Sequence, residues 1–196
     1  MKRFLSLALL VSLCQLAFAQ IELRPQIGYN ASSLTKDLDF GSFDTDQGIQ
    51  FGLDLLIGNR FYVQPGLLWE TVNNQFDQGG ENGLINFQVN RVRIPLLVGY
   101  RFFSPQNTGR YFNLRLFTGP NASFAINKAV NQNSLAFTKD DLQNSVFGWH
   151  AGLGLDIAIL FIDAGYTFGL SEVFKDLPSG PRNNLFYANG GVRIRF

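Results

Sequence analysis

Leu185-Phe186-Tyr187-Ala188-Asn189-Gly190-Gly191-Val192-Arg193-Ile194-Arg195-Phe196 changes chemistry at every step. Phe186, Ala188, Gly190, Val192, Ile194 and Phe196 share one side, and Tyr187, Asn189, Gly191, Arg193 and Arg195 share the other. Successive side chains of a β-strand point to opposite faces, so a period of two predicts a strand that separates an apolar environment from a polar one.

The same alternation recurs upstream. Ile21, Leu23, Ile27 and Tyr29 oppose Glu22, Arg24, Gln26 and Gly28, and Val92, Ile94, Leu96, Val98 and Tyr100 oppose Arg91, Arg93, Pro95, Gly99 and Arg101. Read this way, the chain predicts strands at residues 21–30, 48–57, 61–71, 84–103, 111–124, 146–157, 161–169 and 185–196. The boundary near residues 158–160 has no Gly or Pro to mark a turn. It is required because the apolar set switches there from odd to even positions. A single strand over residues 146–169 would also far exceed the ~9–11 residues that cross a bilayer. Polar stretches at residues 31–47, 73–83, 125–145 and 171–184 read as long loops, and they alternate with short turns. An even number of strands with long loops at one end and short turns at the other predicts an all-β, eight-stranded antiparallel up-and-down transmembrane β-barrel.

The amino terminus predicts export. Lys2 and Arg3 precede an apolar run, and Ala17-Phe18-Ala19 supplies a small-x-small cleavage pattern, so residues 1–19 read as a cleaved signal peptide. Gln20 is then the mature start, and residues 20–196 form one barrel domain. Cys14 is the only cysteine and lies in the leader after Leu13, not after a small residue, which argues against lipoprotein processing. The mature chain accordingly has no disulfide or catalytic thiol. Without Lys2 and Arg3 the 16 basic residues fall to 14, against 15 acidic, a net charge of −1 with no polybasic block. Nucleic acid is not an expected partner.

A soluble lipid-binding barrel would place its apolar face inward instead. The polar face argues for the membrane form. It carries Glu22, Arg24, Asp54, Glu70, Arg91, Arg93, Arg101, Arg115, Asp156, Asp163, Arg193 and Arg195, and no lysine. Lys36, Lys128, Lys139 and Lys175 all fall in predicted loops. A solvated face would carry lysine; arginine alone suits a confined lumen where guanidinium groups pair with carboxylates in fixed geometry. Aromatic residues gather near the strand ends, as interfacial girdles do.

Two resemblances accompany these patterns. Asn189, Gly191, Ile194 and Phe196 resemble the closing-strand signal of bacterial outer-membrane barrels, which implies recognition by the barrel-assembly machinery. Val92-Arg93-Ile94-Pro95-Leu96-Leu97-Val98-Gly99-Tyr100, together with Gly165-Tyr166-Thr167-Phe168-Gly169-Leu170, resembles the PorT-like family of outer-membrane barrels. That resemblance implies an outer-membrane location; some members of that family are tied to protein secretion.

The sequence offers little chemistry beyond this. His150, the sole histidine, lies on the polar face without a catalytically spaced partner. One histidine and no mature cysteine make zinc an unlikely ligand on donor count alone. Asp37, Asp39, Asp44 and Asp46 lack the glycine-bearing spacing of a calcium loop and read as a solvated loop. Asn121-Ala122-Ser123 matches a glycosylation sequon but falls inside a strand. No cofactor motif is present, and the chain reads as a non-enzyme. The expected role is structural or interactive: a monomeric barrel in outer-membrane lipid with four external loops, supporting envelope or secretion proteins. A narrow channel or carrier for a small hydrophobic ligand, and a barrel enzyme acting on envelope lipid or protein, are the alternatives.

Overall fold

The computed structural model describes residues 20–34, 42–77, 84–103, 111–130, 143–171 and 182–196. These residues form strands β1 (Ile21–Leu34), β2 (Ser42–Gly58), β3 (Phe61–Asp77), β4 (Leu84–Arg101), β5 (Phe112–Val130), β6 (Ser145–Ile157), β7 (Leu160–Gly169), β8 (Asn183–Val192) and β9 (Ile194–Arg195). Each strand pairs antiparallel with its sequence neighbour, and β1 pairs with both β2 and β8, which closes the sheet. The short β9 continues the path of β8 past Arg193 and pairs with β1 in the same register, Glu22 opposite Arg195. The architecture is therefore a closed eight-stranded antiparallel barrel. Closure leaves no exposed ladder of backbone groups, which a hydrocarbon environment demands.

Alternation places the apolar face outside. Ile27, Leu67 and Ile162 are 68%, 57% and 57% exposed on the protein surface. Arg24 and Arg115, on the other face, are fully buried. A largely apolar exterior over a charged interior is stable only where the exterior meets lipid. Polar atoms that do face outward are satisfied within the wall: the indole N–H of Trp149 donates to Thr118 Oγ1 at 2.8 Å. The Thr118 hydroxyl in turn donates to the backbone oxygen of His150 at 2.7 Å.

The strands outrun the sequence reading at the long-loop end. Residues 31–34, 42–47, 73–77 and 125–130, expected in loops, continue β1, β2, β3 and β5. Residues 42–47 and 73–77 are mostly polar, and 31–34 and 125–130 mix small, polar and apolar residues, so the two-environment pattern fades although pairing persists, as between Ser42 and Asp77. Hydrogen bonding along a ladder does not need an apolar face. Lys128, also expected in a loop, belongs to β5 opposite Val89. Lys36, Lys139 and Lys175 lie outside the described residues, as does the expected leader, residues 1–19.

The opposite rim is tight. Gly58 turns the chain into β3 at φ 135°, where an added Cβ would lie 2.3 Å from the Phe61 oxygen. The β6–β7 hairpin, which lacks Gly and Pro, turns on two residues, with Ala158 at φ 51°. The Arg193 N–H, freed by the break between β8 and β9, donates to the Ile159 oxygen at 2.7 Å. The final amide, at Phe196, donates to the Ile21 oxygen at 3.0 Å and ties the chain end to β1.

Candidate functional site: the packed lumen

Eight strands enclose a space about wide enough for side chains to fill, and here charge fills the short-turn end. Glu22 on β1 is approached by Arg101 at 2.8 Å, Arg195 at 3.0 Å, Arg24 at 3.5 Å and Arg193 at 3.8 Å. Asp156 on β6 receives Arg115 at 2.9 Å, Arg193 at 3.0 Å and Arg24 at 3.1 Å. Asp163 on β7 is bound by Arg115, with Arg24 at 3.9 Å. Eight residues from six strand paths thus form one network of five arginines and three carboxylates. The Arg24 guanidinium also lies 3.8 Å over the Phe161 ring, replacing lost hydration with a cation–π contact.

The remaining charges do not join it. Arg93 binds Glu70, which also accepts from the Ser123 hydroxyl at 3.4 Å. Asp54 stands opposite Arg24 in the β1–β2 ladder, but among the described residues no arginine lies within ion-pair distance of it. It instead accepts from the Gln64 amide at 2.7 Å. Arg24 is drawn across the lumen because Asp156 and Glu22 together offer more negative charge than Asp54 alone. Arg91 pairs with no carboxylate among the described residues, although Glu70 is its ladder partner.

Four aromatic side chains pack inside the lumen, from the short-turn end upward, a feature absent from the sequence reading. Tyr62 lies opposite Gly99, Phe117 opposite Gly152, Phe161 opposite Gly191 and Tyr187 opposite Gly165. A Cβ on Gly99 would sit 2.2 Å from the Tyr62 ring, and one on Gly165 would sit 2.6 Å from the Tyr187 hydroxyl. Each glycine therefore lets a ring lie flat against the neighbouring strand. Leu56, Val72, Leu97 and Leu185 join Tyr62, Phe117 and Tyr187 in a buried apolar cluster. The signal for this was in the sequence. Positions 56, 97, 117, 161 and 185 hold large apolar residues in the inward phase, and Leu97, Phe117 and Phe161 face glycines one strand away.

His150 belongs to this layer. Its Nδ1 shares a 2.8 Å hydrogen bond with the Thr167 hydroxyl, and its ring meets Tyr187 edge-on at 5.2 Å. The imidazole is buried and is held in place by Thr167 and Tyr187. Among the described residues no group of three or more His, Cys, Asp or Glu is placed to hold a metal. Asp37 and Asp39 lie outside the described residues, whereas Asp44 and Asp46 fall in β2. Asn121 and Ser123 of the sequon both face the lumen and are buried, out of reach of a glycan.

The closing-strand residues divide between the faces. Asn189 is buried, donates to Gln26 at 2.8 Å and accepts from Gln50, while Gly191 underlies Phe161. Ile194 and Phe196 are exposed toward lipid, Phe196 at 79%. Ala17 and Ala19 of the expected cleavage site lie outside the described residues; Gln20 accepts from the Gly58 N–H at 3.0 Å through its backbone oxygen.

Comparison with known proteins agrees with this geometry. Residues 18–175 match the family described as Outer membrane protein beta-barrel domain. No curated protein matches the chain. Among solved structures, Ail, the attachment invasion locus protein of Yersinia pestis, crystallised with the heparin analogue sucrose octasulfate, is similar at 15% identity. The match covers 89% of this chain and 99% of Ail, with a TM-score of 0.51, and at that identity it shows the fold alone. The N-terminal β-barrel domain of Pseudomonas aeruginosa OprF matches at 10% identity over 90% of this chain and 99% of that one, with a TM-score of 0.40. A family match over most of the chain, on a closed barrel with an apolar exterior and a charged lumen, settles the assignment: the chain belongs to the outer membrane protein beta-barrel domain family and is an outer-membrane β-barrel protein.

Proposed function

We propose that this barrel conducts nothing and catalyses nothing, and that it works at its ends, as a structural and interaction protein of the cell envelope. The observation that carries this reading is the filled lumen. Ion pairs fill the short-turn end, and rings and aliphatic side chains pack among and beyond them. Cavities in the lumen measure about 20 Å³, room for about one water-sized occupant each. A carrier for a hydrophobic ligand would need an apolar cavity of hundreds of cubic ångströms. A barrel enzyme would need its histidine at a substrate-accessible rim, whereas His150 is buried beneath Thr167 and Tyr187.

What remains available is the long-loop end, where β2 to β5 run 17 to 19 residues, longer than the ~9–11 that span a bilayer. The PorT-like resemblance of Val92 to Tyr100 supports a role beside a protein-secretion complex. The assembly machinery would engage the closing strand through Ile194 and Phe196, which face outward. Purified protein in planar bilayers tests the reading. No steady conductance is expected, and a large stable conductance would overturn it.

A further inference from the structure

We propose that the lumen near the long-loop end holds a single small halide ion, chloride in ordinary media, between Arg91, Arg93 and Asn121. Two buried groups there hold a donor without a partner, and Arg91 lies beside them. Arg91 is 3% exposed and pairs with no carboxylate among the described residues. Asn121 is 6% exposed, and its Nδ2 donates to nothing. Arg93 spends one end of its guanidinium on Glu70 while its Nε stays unpartnered. All three line one cavity of about 20 Å³, with Glu70, Ser123 and Gly148 also on its wall.

Leaving a buried donor unsatisfied costs about 1–3 kcal/mol, and more for a charged group. Two guanidinium groups against one carboxylate leave a local charge of +1, which one monovalent anion neutralises. Size decides the class. The cavity of about 20 Å³ suits a monatomic anion better than phosphate, sulfate or an organic carboxylate. The wall is also shaped here. A β-bulge falls between Asn90 and Arg91, where β5 supplies an extra residue opposite β4. Bulges re-aim side chains, and this one adjoins Arg91, which makes no ion pair with Glu70, its ladder partner.

Two measurements on the full-length barrel in detergent test the site. Crystals grown in sodium bromide should show an anomalous peak within hydrogen-bonding distance of the Arg91 guanidinium and the Asn121 amide. Urea unfolding in sodium bromide should be compared with sodium gluconate, an anion too large to enter, at equal ionic strength. At a halide concentration ten times the dissociation constant, the folded-to-unfolded ratio of the wild type should rise about elevenfold. Arg91→Gln should abolish that halide dependence, while Arg60→Gln, at the exposed short turn, should keep it. If Arg91→Gln does not fold, Asn121→Ala should weaken the dependence, and the bromide peak in the wild type stands as an independent readout. Equal midpoints in the two salts, a halide effect that survives Arg91→Gln, or water density in place of the bromide peak would each overturn the proposal.

Discussion

At the scale of single residues, the account turns on Glu22. One carboxylate sits among Arg24, Arg101, Arg193 and Arg195, all buried or half-buried. Removing its charge leaves four guanidinium groups with Asp156 and Asp163 alone. Breaking a buried pair by deleting one partner typically costs 3–5 kcal/mol. Glu22→Gln should therefore lower unfolding free energy by about that much in urea titrations, and a loss below ~1 kcal/mol would show the network to be solvated. Gly99 supplies the complementary steric case. A methyl group there meets the Tyr62 ring, which is itself buried, so Gly99→Ala should cost ~1–3 kcal/mol as overpacking. Shrinking the ring in a Tyr62→Leu background should remove most of that penalty. Simple additivity of the two changes would mean that ring and glycine do not touch. The charged residues were legible from phase alone, because arginine without lysine betrays confinement. Their pairings were not. Arg24 passes over Asp54, its ladder partner, for carboxylates on other strands, and only the closed geometry shows which ones lie within reach.

At the scale of the strand, two environments meet across one β-ribbon, and β4 shows this most clearly. Leu96 is half-exposed toward lipid, and the adjacent Leu97 is buried in the lumen. Leu96→Arg should cost ~2–4 kcal/mol near the bilayer midplane. Arg93→Lys should fold at close to wild-type stability while loosening the Glu70 contact. A harmless Leu96→Arg would reverse the assignment of faces. The last strand makes a kinetic prediction instead. Phe196 contributes one backbone hydrogen bond and an exposed ring at the rim. Deleting it should slow assembly and reduce yield far more than it destabilises barrels already formed, as judged by refolding half-time against urea midpoint. Equal assembly rates would reject a recognition role for the residue. Strand existence and phase were readable throughout, even at the hairpin lacking Gly and Pro, because the outward set changes parity there. Strand ends beyond the membrane were not. Residues 42–47 are mostly polar and residues 125–130 mix Lys128 and Asn127 with small and apolar residues, so their sequence does not set them apart from loop.

At the scale of the molecule, the barrel is a membrane protein turned outward, with lipid taking the place of a core and ion pairs taking the place of water. The apolar residues within, Leu56, Leu97, Phe117 and Leu185 among them, were overlooked in the sequence because they share a phase with arginine and glutamate. They show that this interior is packed by shape as well as by charge. The arrangement is tested most directly by a nitroxide scan along β4, with single cysteines placed in turn from Val92 to Val98 in the chain lacking Cys14. Oxygen partitions into hydrocarbon, so its collision rate with the label should be high at Val92, Ile94, Leu96 and Val98 and low at Arg93, Pro95 and Leu97. Low accessibility at Leu97, an apolar residue, separates a filled lumen from mere hydrophobicity. An inverted phase, or uniform accessibility along the strand, would contradict the account.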